Sequence, residues 1–441
     1  MPMNEILAIC CILSFFVLLG LGVPVALTLA VSGFVFGYIG FGGLLFQLLP
    51  ARIFGVTANY TLIAIPLFVF MGVMLEKSRI ADELMDVIGH VAGNLKGGMG
   101  IGIVMVGALM GATTGIVGAT IVTLGLLTLP TLLKRGYDKA TACGVICASG
   151  TLGQLIPPST ILILLADIMG QSVGTLFAAA VIPGFMLAGI FCVYFVFLGW
   201  LKPELVPAVP LEERQALARA DLWRKILKVG LPPIGLVVAV LGSIIGGIAA
   251  PTEAASMGAL GSILITASLK RLSWATLRDT VYATGRITAA MMFVLVCAQV
   301  FALAFRGLQG EQLVHDAFKL VPGGTTGLIL FMMLIIFILG FFIEWIEISY
   351  IVVPLFLPLL NAAGVDPVWM ATLIAVNLQT SFLTPPFGWA LFYLRGVAPP
   401  EIKTTDIYRG VIPFILLQLV MLALVFSFPT LATWLPRAIG W

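Results

Sequence analysis

Long apolar runs alternate with short polar connections along most of this 441-residue chain. Runs at 5–22, 24–42, 230–250 and 411–435 can each cross a hydrocarbon layer about 30 Å thick as a helix. The alternating ten-residue segments that a transmembrane barrel needs are absent. The pattern therefore predicts an all-α polytopic membrane protein. The start MPMNEILAICCILSFF has neither a basic n-region nor a small-residue cleavage site, and reads as the first crossing rather than a removed signal.

The same pattern occurs twice. Shifted by 228 positions, 126–158 falls on 354–386 without a gap. Pro130 meets Pro358, Gly136 meets Gly364, Asp138 meets Asp366, and Pro157-Pro158 meet Pro385-Pro386. Residues that bend or end helices recur at one offset, so the halves share a backbone plan. In the first half, crossings are expected near 5–22, 24–42, 59–76, 141–168 and 176–200, with a re-entrant hairpin at 97–133. In the second they are expected near 229–249, 252–269, 283–305, 367–394 and 411–435, with a hairpin at 324–362. Five crossings per half is an odd number, so the repeats have inverted topology, each with a broken helix. The expected division is scaffold and arm helices in 1–96, transport elements in 97–168, and a scaffold helix with linker in 169–228. The second half follows with scaffold and arms in 229–323, transport elements in 324–396 and a C-terminal scaffold helix in 397–441.

Composition agrees: 61% of residues are hydrophobic, 10% are charged, and the mean hydropathy is +1.15. The net charge of +3 matters less than where the cations fall. Lys77, Arg79, Lys96, Lys134, Arg135 and Lys139, the linker cations, Lys270, Arg271, Arg278, Arg395, Lys403 and Arg409 are assigned to the cytoplasm. Arg52, Arg306, Lys319 and Arg437 are assigned outside, which puts both termini in the periplasm. At the repeat offset Lys134, Arg135 and Lys139 become Ala362, Ala363 and Pro367, as inversion requires. Residues 212–228 read as an amphipathic helix on the cytoplasmic surface. The six cysteines form no CxxC pair, and Cys143 and Cys147 read as packing residues.

Four segments break helical regularity in apolar surroundings: 110–120, 149–160, 343–349 and 377–388. Backbone at such depth must be buried in protein or line a polar site. Pro157 and Pro385, each followed by a second proline (Pro158, Pro386), remove backbone donors and free carbonyls. Carbonyls with Thr and Ser hydroxyls are the hard oxygen ligands that a small unhydrated cation needs. One ion is expected among Thr114, Gly115, Thr120, Ser149, Gly150 and Gly153, and a second among Glu344, Asn377, Thr380, Ser381 and Thr384. Two plainer readings stand beside this one. Gly111, Gly115 and Gly118 also fit a small-residue packing stripe, and the hydroxyls also fit bonds within their own helices. Glu344 and Glu347 lie where a carboxylate is costly. Thr252 and Glu253 read as a cap and a dipole-compensating charge. Asp167 reads as solvated near a periplasmic helix end. His90 and His315 fall in connections without partners.

GVPVALTLA (22–30), AIPLFVFMG (64–72), LPTLLKRGYDKA (129–140), ASGTLGQLIPPS (148–159), APTEAASMGAL (250–260) and Thr384–Pro386 give the chain a resemblance over essentially its whole length. It resembles the large membrane subunit, DctM-like, of tripartite ATP-independent periplasmic (TRAP) transporters. The resemblance implies a bacterial inner-membrane importer coupled to Na+, with no organic cofactor, and an ion-transporter elevator fold. It implies two protein partners, a periplasmic solute-binding protein that captures an organic acid and a small four-helix membrane subunit, in a lipid bilayer and with no role for nucleic acid. Many family members carry Ser-Gly-Ser at the first tip, where this chain has Thr114-Gly115-Ile116. That shifts weight there from side chains to carbonyls. The variant tip and 378–401 resemble a branch associated with 2-oxo acids, hydroxy acids and aromatic carboxylates.

The rivals differ in what they need. A sodium–carboxylate symporter on the same architecture would work without a binding protein, and an ATP-driven permease would lean on a partner ATPase. An intramembrane enzyme would need a nucleophile–base or metal constellation. No HExxH occurs, and the two histidines stand apart.

Overall fold

The computed structural model describes residues 3–92, 94–210, 224–319 and 321–441, and the side chains of 317–319 are not among those described. In the first half α1 is Met3–Gly20, α2 Val25–Phe41, α3 Leu44–Thr57, α4 Ala64–Lys77 and α5 Ile80–Val91. Then follow α6 Gly98–Thr114, α7 Val117–Lys134, α8 Lys139–Thr151, α9 Thr160–Met169 and α10 Val173–Leu201. In the second half α11 is Leu231–Ile245, α12 Pro251–Ser268, α13 Trp274–Gly307, α14 Gly310–Lys319 and α15 Gly324–Leu339. The rest are α16 Trp345–Ala362, α17 Pro367–Leu383, α18 Trp389–Val397, α19 Thr404–Ser427 and α20 Thr430–Ala438. Among the described residues, eight helical spans are long and apolar enough to cross a membrane. The expected 212–228 helix falls largely on 211–223, outside the described residues, and beyond it Ile226–Gly230 is a wide turn entering α11.

The repeat extends to every element from α1 to α19. Moved by 228 positions, α7 coincides with α16, α1 starts with α11, and the break between α8 and α9 falls on that between α17 and α18. Asp138 and Asp366 cap α8 and α17 alike: the first accepts from Thr141 N, the second from Val368 N and Trp369 N. The halves differ in the arm. The 34-residue α13 is continuous, whereas its counterpart divides into α3 and α4 at Asn59, whose side chain accepts from Thr61 N. The axis relating the halves passes close to Thr151 and Gln379, positions 228 apart whose side chains approach to 3.4 Å.

Packing sorts the helices into two groups. α2 lies along α13, α4 along α12, α1 beside α2, and α11 on α12. The hairpins α6–α7 and α15–α16 surround the broken helices, with α19 crossing α8 and α10 packed on α6 and α17. The broken helices are the most enclosed elements. Every residue from Thr141 to Thr151 and from Met370 to Leu383 is buried. The crossing of α8 with α19 is a backbone contact, since a Cβ on Gly144 would stand 2.0 Å from Gly410 O.

Loops assigned to one side from their charge meet each other. Arg271 bonds Ser78 O and pairs with Glu83, Lys139 Nζ bonds Glu401 O at 3.1 Å, and Asp138 N bonds Leu205 O at 3.0 Å. Across the molecule Arg437 pairs with Asp366 at 3.4 Å. Several expectations need correction. Asp167 is half-buried and accepts from Asn59 Nδ2 at 2.5 Å and Tyr350 Oη at 3.1 Å, rather than being solvated. His90 and His315 lie on helices with partners, Nδ1 standing 2.7 Å from Asp86 O and 3.6 Å from Asp316 Oδ1. Thr252 lies inside α12, and Glu253 reaches back to Ala250 N at 2.9 Å.

Candidate functional site

The first tip forms because α6 ends on Gly115, which takes the left-handed conformation (φ 60°) that a side chain disfavours. The chain then turns through extended Ile116 into α7. Thr114 and Thr120, both buried, bring their hydroxyl oxygens to 3.0 Å, and Thr120 Oγ1 also bonds Ile116 O at 3.1 Å. The last carbonyls of α6 have no helical partners and carry the negative end of its dipole.

The break seats directly on this tip. A Cβ on Gly111 would stand 2.4 Å from Gly153 Cα, so the two backbones touch. Thr160, the first residue of α9, donates its hydroxyl to Gly115 O at 3.1 Å. Gly150 packs on Ile121 of α7. Ser149 is placed elsewhere: it packs on Gly107, about 12 Å below the tip at 1.5 Å per residue, and its buried hydroxyl has no partner. Sequence reasoning missed Thr160, although a hydroxyl two residues past a Pro-Pro break is a readable signal.

The second tip repeats the plan with different chemistry. α15 ends at Leu339, and Gly340 meets Ser381, where a Cβ would stand 2.1 Å from its Oγ. Glu344 stands at the N-terminal cap position of α16 without a side-chain cap bond and accepts from Tyr393 Oη at 3.3 Å, while Glu347 is 3% exposed with Oε2 unpartnered. Thr380, Ser381 and Thr384 donate to Val376 O, Leu378 O and Thr380 O of their own helix. Each hydroxyl oxygen keeps a lone pair for a cation. Asn377 lies deeper, donating Nδ2 to Met333 O at 2.7 Å, the counterpart of Ser149 in the other half. Pro157-Pro158 is enclosed, whereas Pro386 and Phe387 are exposed and Phe387 lies tilted beside Phe342, centroids 5.7 Å apart.

Each tip thus combines a helix end, a close-packed glycine and buried oxygen donors, a set suited to a dehydrated monovalent cation. Among the described residues no three His, Cys, Asp or Glu side chains gather as a metal cluster. Across the interface between the packing groups, a Cβ on Gly72 of α4 would stand 2.3 Å from Thr114 Cα, and Thr123 of α7 donates to Glu76 at 3.0 Å. On the side of Asp167, a cavity of about 440 Å³ opens between α13 and hairpin two, lined by Arg306, Tyr350 and Asn361 among others.

Residues 12–431 match the family described as tripartite ATP-independent periplasmic transporter, DctM component. The chain is 30% identical to the C4-dicarboxylate TRAP transporter large permease protein DctM of Pseudomonas aeruginosa, over 89% of this chain and 90% of that protein. It is 30% identical to the ectoine TRAP transporter large permease protein TeaC of Halomonas elongata, over 95% and 96%. To the 2,3-diketo-L-gulonate TRAP transporter large permease protein YiaN of Escherichia coli it is 26% identical, over 87% and 88%. Its fold is similar to that of the Alcanivorax borkumensis YdaH transporter, with a TM-score of 0.61, 17% identity and coverage of 89% and 90%.

Proposed function

Since the chain belongs to the DctM component family of tripartite ATP-independent periplasmic transporters, we propose that it imports a small organic acid on a sodium gradient. It does so by moving its hairpins and broken helices as one body. A periplasmic binding protein delivers the solute, a small four-helix subunit flanks the scaffold, and both termini face the periplasm of a bacterial inner membrane. The observation that carries this reading is the pair of tips, each a helix end seated by glycine on a broken helix with buried oxygens around it. Thr114, Gly115, Thr120, Gly153 and Thr160 surround the first ion; Glu344, Ser381 and Thr384 surround the second.

Because α10 and α19 pack on the broken helices, the moving body takes them in, rather than leaving 169–228 and 397–441 on the scaffold. The scaffold is then α1–α4 and α11–α13. The relatives are named for different solutes: C4-dicarboxylates, ectoine and 2,3-diketo-L-gulonate.

Proteoliposomes with both partners test the coupling. Uptake is expected to follow an imposed sodium gradient without ATP, each net inward charge adding about 2.3 kcal/mol per 100 mV. Uptake that persists without sodium on a proton gradient overturns the reading. Orientation has its own test. An impermeant thiol reagent added from the periplasm is expected to label Ala362→Cys and spare Lys134→Cys; the reverse pattern overturns the orientation.

A further inference from the structure

Tyr393 touches both hairpins at once. Its ring packs so closely on Gly118, the second residue of α7, that a Cβ there would stand 2.8 Å from Cζ. Its hydroxyl donates to Glu344 Oε1 at 3.3 Å, on the residue immediately before α16. A side chain on α18, outside both hairpins, therefore ties the first tip to the second. One turn beyond Glu344, Glu347 is 3% exposed and its Oε2 has no partner. A neutral phenol satisfies one oxygen of this carboxylate pair and supplies no countercharge, and a buried unpaired carboxylate oxygen is costly. At the repeat offset Ile116 stands for Glu344 and Leu165 for Tyr393, so the first half has no counterpart of this tie.

The geometry points to Tyr393 as a tie that the coupling cation displaces. With the second tip empty, the phenol holds Glu344 and keeps hairpin two against α18 and hairpin one. A cation at Glu344 and Glu347 takes the carboxylate from the phenol and releases hairpin two. This rests on the sodium-coupled reading and adds to it which contact the ion must break. Because the phenol stabilises only the empty form, it lowers the apparent sodium affinity, and removing it raises that affinity.

The test uses the full chain in lipid nanodiscs and sodium alone, titrated against choline chloride at constant ionic strength, with binding of radioactive sodium as the readout. Tyr393→Phe is expected to lower the sodium concentration at half-saturation about fivefold, the size of one modest hydrogen bond. Glu344→Gln is expected to remove the second site's share of binding and to make Tyr393→Phe silent in its background. An unchanged or raised half-saturation in Tyr393→Phe, beside a wild type that binds sodium, overturns the tie and leaves the coupling reading standing. A wild type that binds no sodium overturns both.

Discussion

Gly111→Ala is expected to cut uptake by a factor on the order of 30 to 100, while Gly235→Ala leaves it unchanged. The added methyl on Gly111 would lie 2.4 Å from Gly153 Cα and 2.5 Å from Gly153 N, where ordinary contact needs more than 3.4 Å. Both atoms are backbone, so no side chain can swing aside. Hairpin one must lift off the break by about an ångström, which parts Gly115 O from Thr160. Overpacking of this kind costs about 1–3 kcal/mol, and the upper part of that range gives the stated factor. Gly235 is the control: it is helical and exposed, with nothing within 4 Å of its Cβ position. A thermal melt in detergent separates a misfolded chain from a folded one with a spoiled site. Full activity of a folded Gly111→Ala protein would show that the tip–break contact is not part of the transport machinery.

The second large effect concerns motion. Asp167 at the end of α9 holds two partners, Asn59 on the arm and Tyr350 on hairpin two. If the hairpins and broken helices move as one body, Asp167 must leave Asn59 and keep Tyr350. A mercury bridge between Asn59→Cys and Asp167→Cys, in a background without the six native cysteines, is expected to abolish uptake nearly completely, and a thiol reductant to restore it. A bismaleimide long enough to replace the lost phenol ring, joining Tyr350→Cys to Asp167→Cys, is expected to spare most of it. Equal inhibition by both bridges would mean that the hairpin moves against the broken helix, and the single-body description would fall.

The crossings and both hairpins were legible because long apolar runs and the offset repeat are global signals that no single side chain can obscure. Four helices escaped. α5 and α14 are short and carry Asp82, Glu83 and Asp86, or Glu311 and Asp316. Their apolar stripe covers one face only, and a search for membrane spans passes over it. α3 and α20 are short segments interrupted by Pro50 and Pro436. At the site, the segments were legible and the depths were not. Ser149 and Asn377 lie on the broken helices but away from the tips, because depth depends on which glycine faces which turn, and Gly107 rather than Gly115 meets Ser149. Tyr393 left no sequence signal. Its role arises because α18 lies across α7, a tertiary fact.

The approach of Thr151 to its own counterpart, Gln379, also bears on how such a chain could arise. Two equivalent positions meeting on a two-fold axis in the membrane plane are what a homodimer of half-length chains would present, one copy inserted each way up. Such a dimer would have to enter the bilayer in both orientations, which requires loops with no strong charge bias. In a single chain each half is held in one orientation and is free to differ from the other. The basic Lys134, Arg135 and Lys139, whose offset counterparts are the uncharged Ala362, Ala363 and Pro367, are the mark of that freedom. So is Tyr393 with Glu344, which only one half carries.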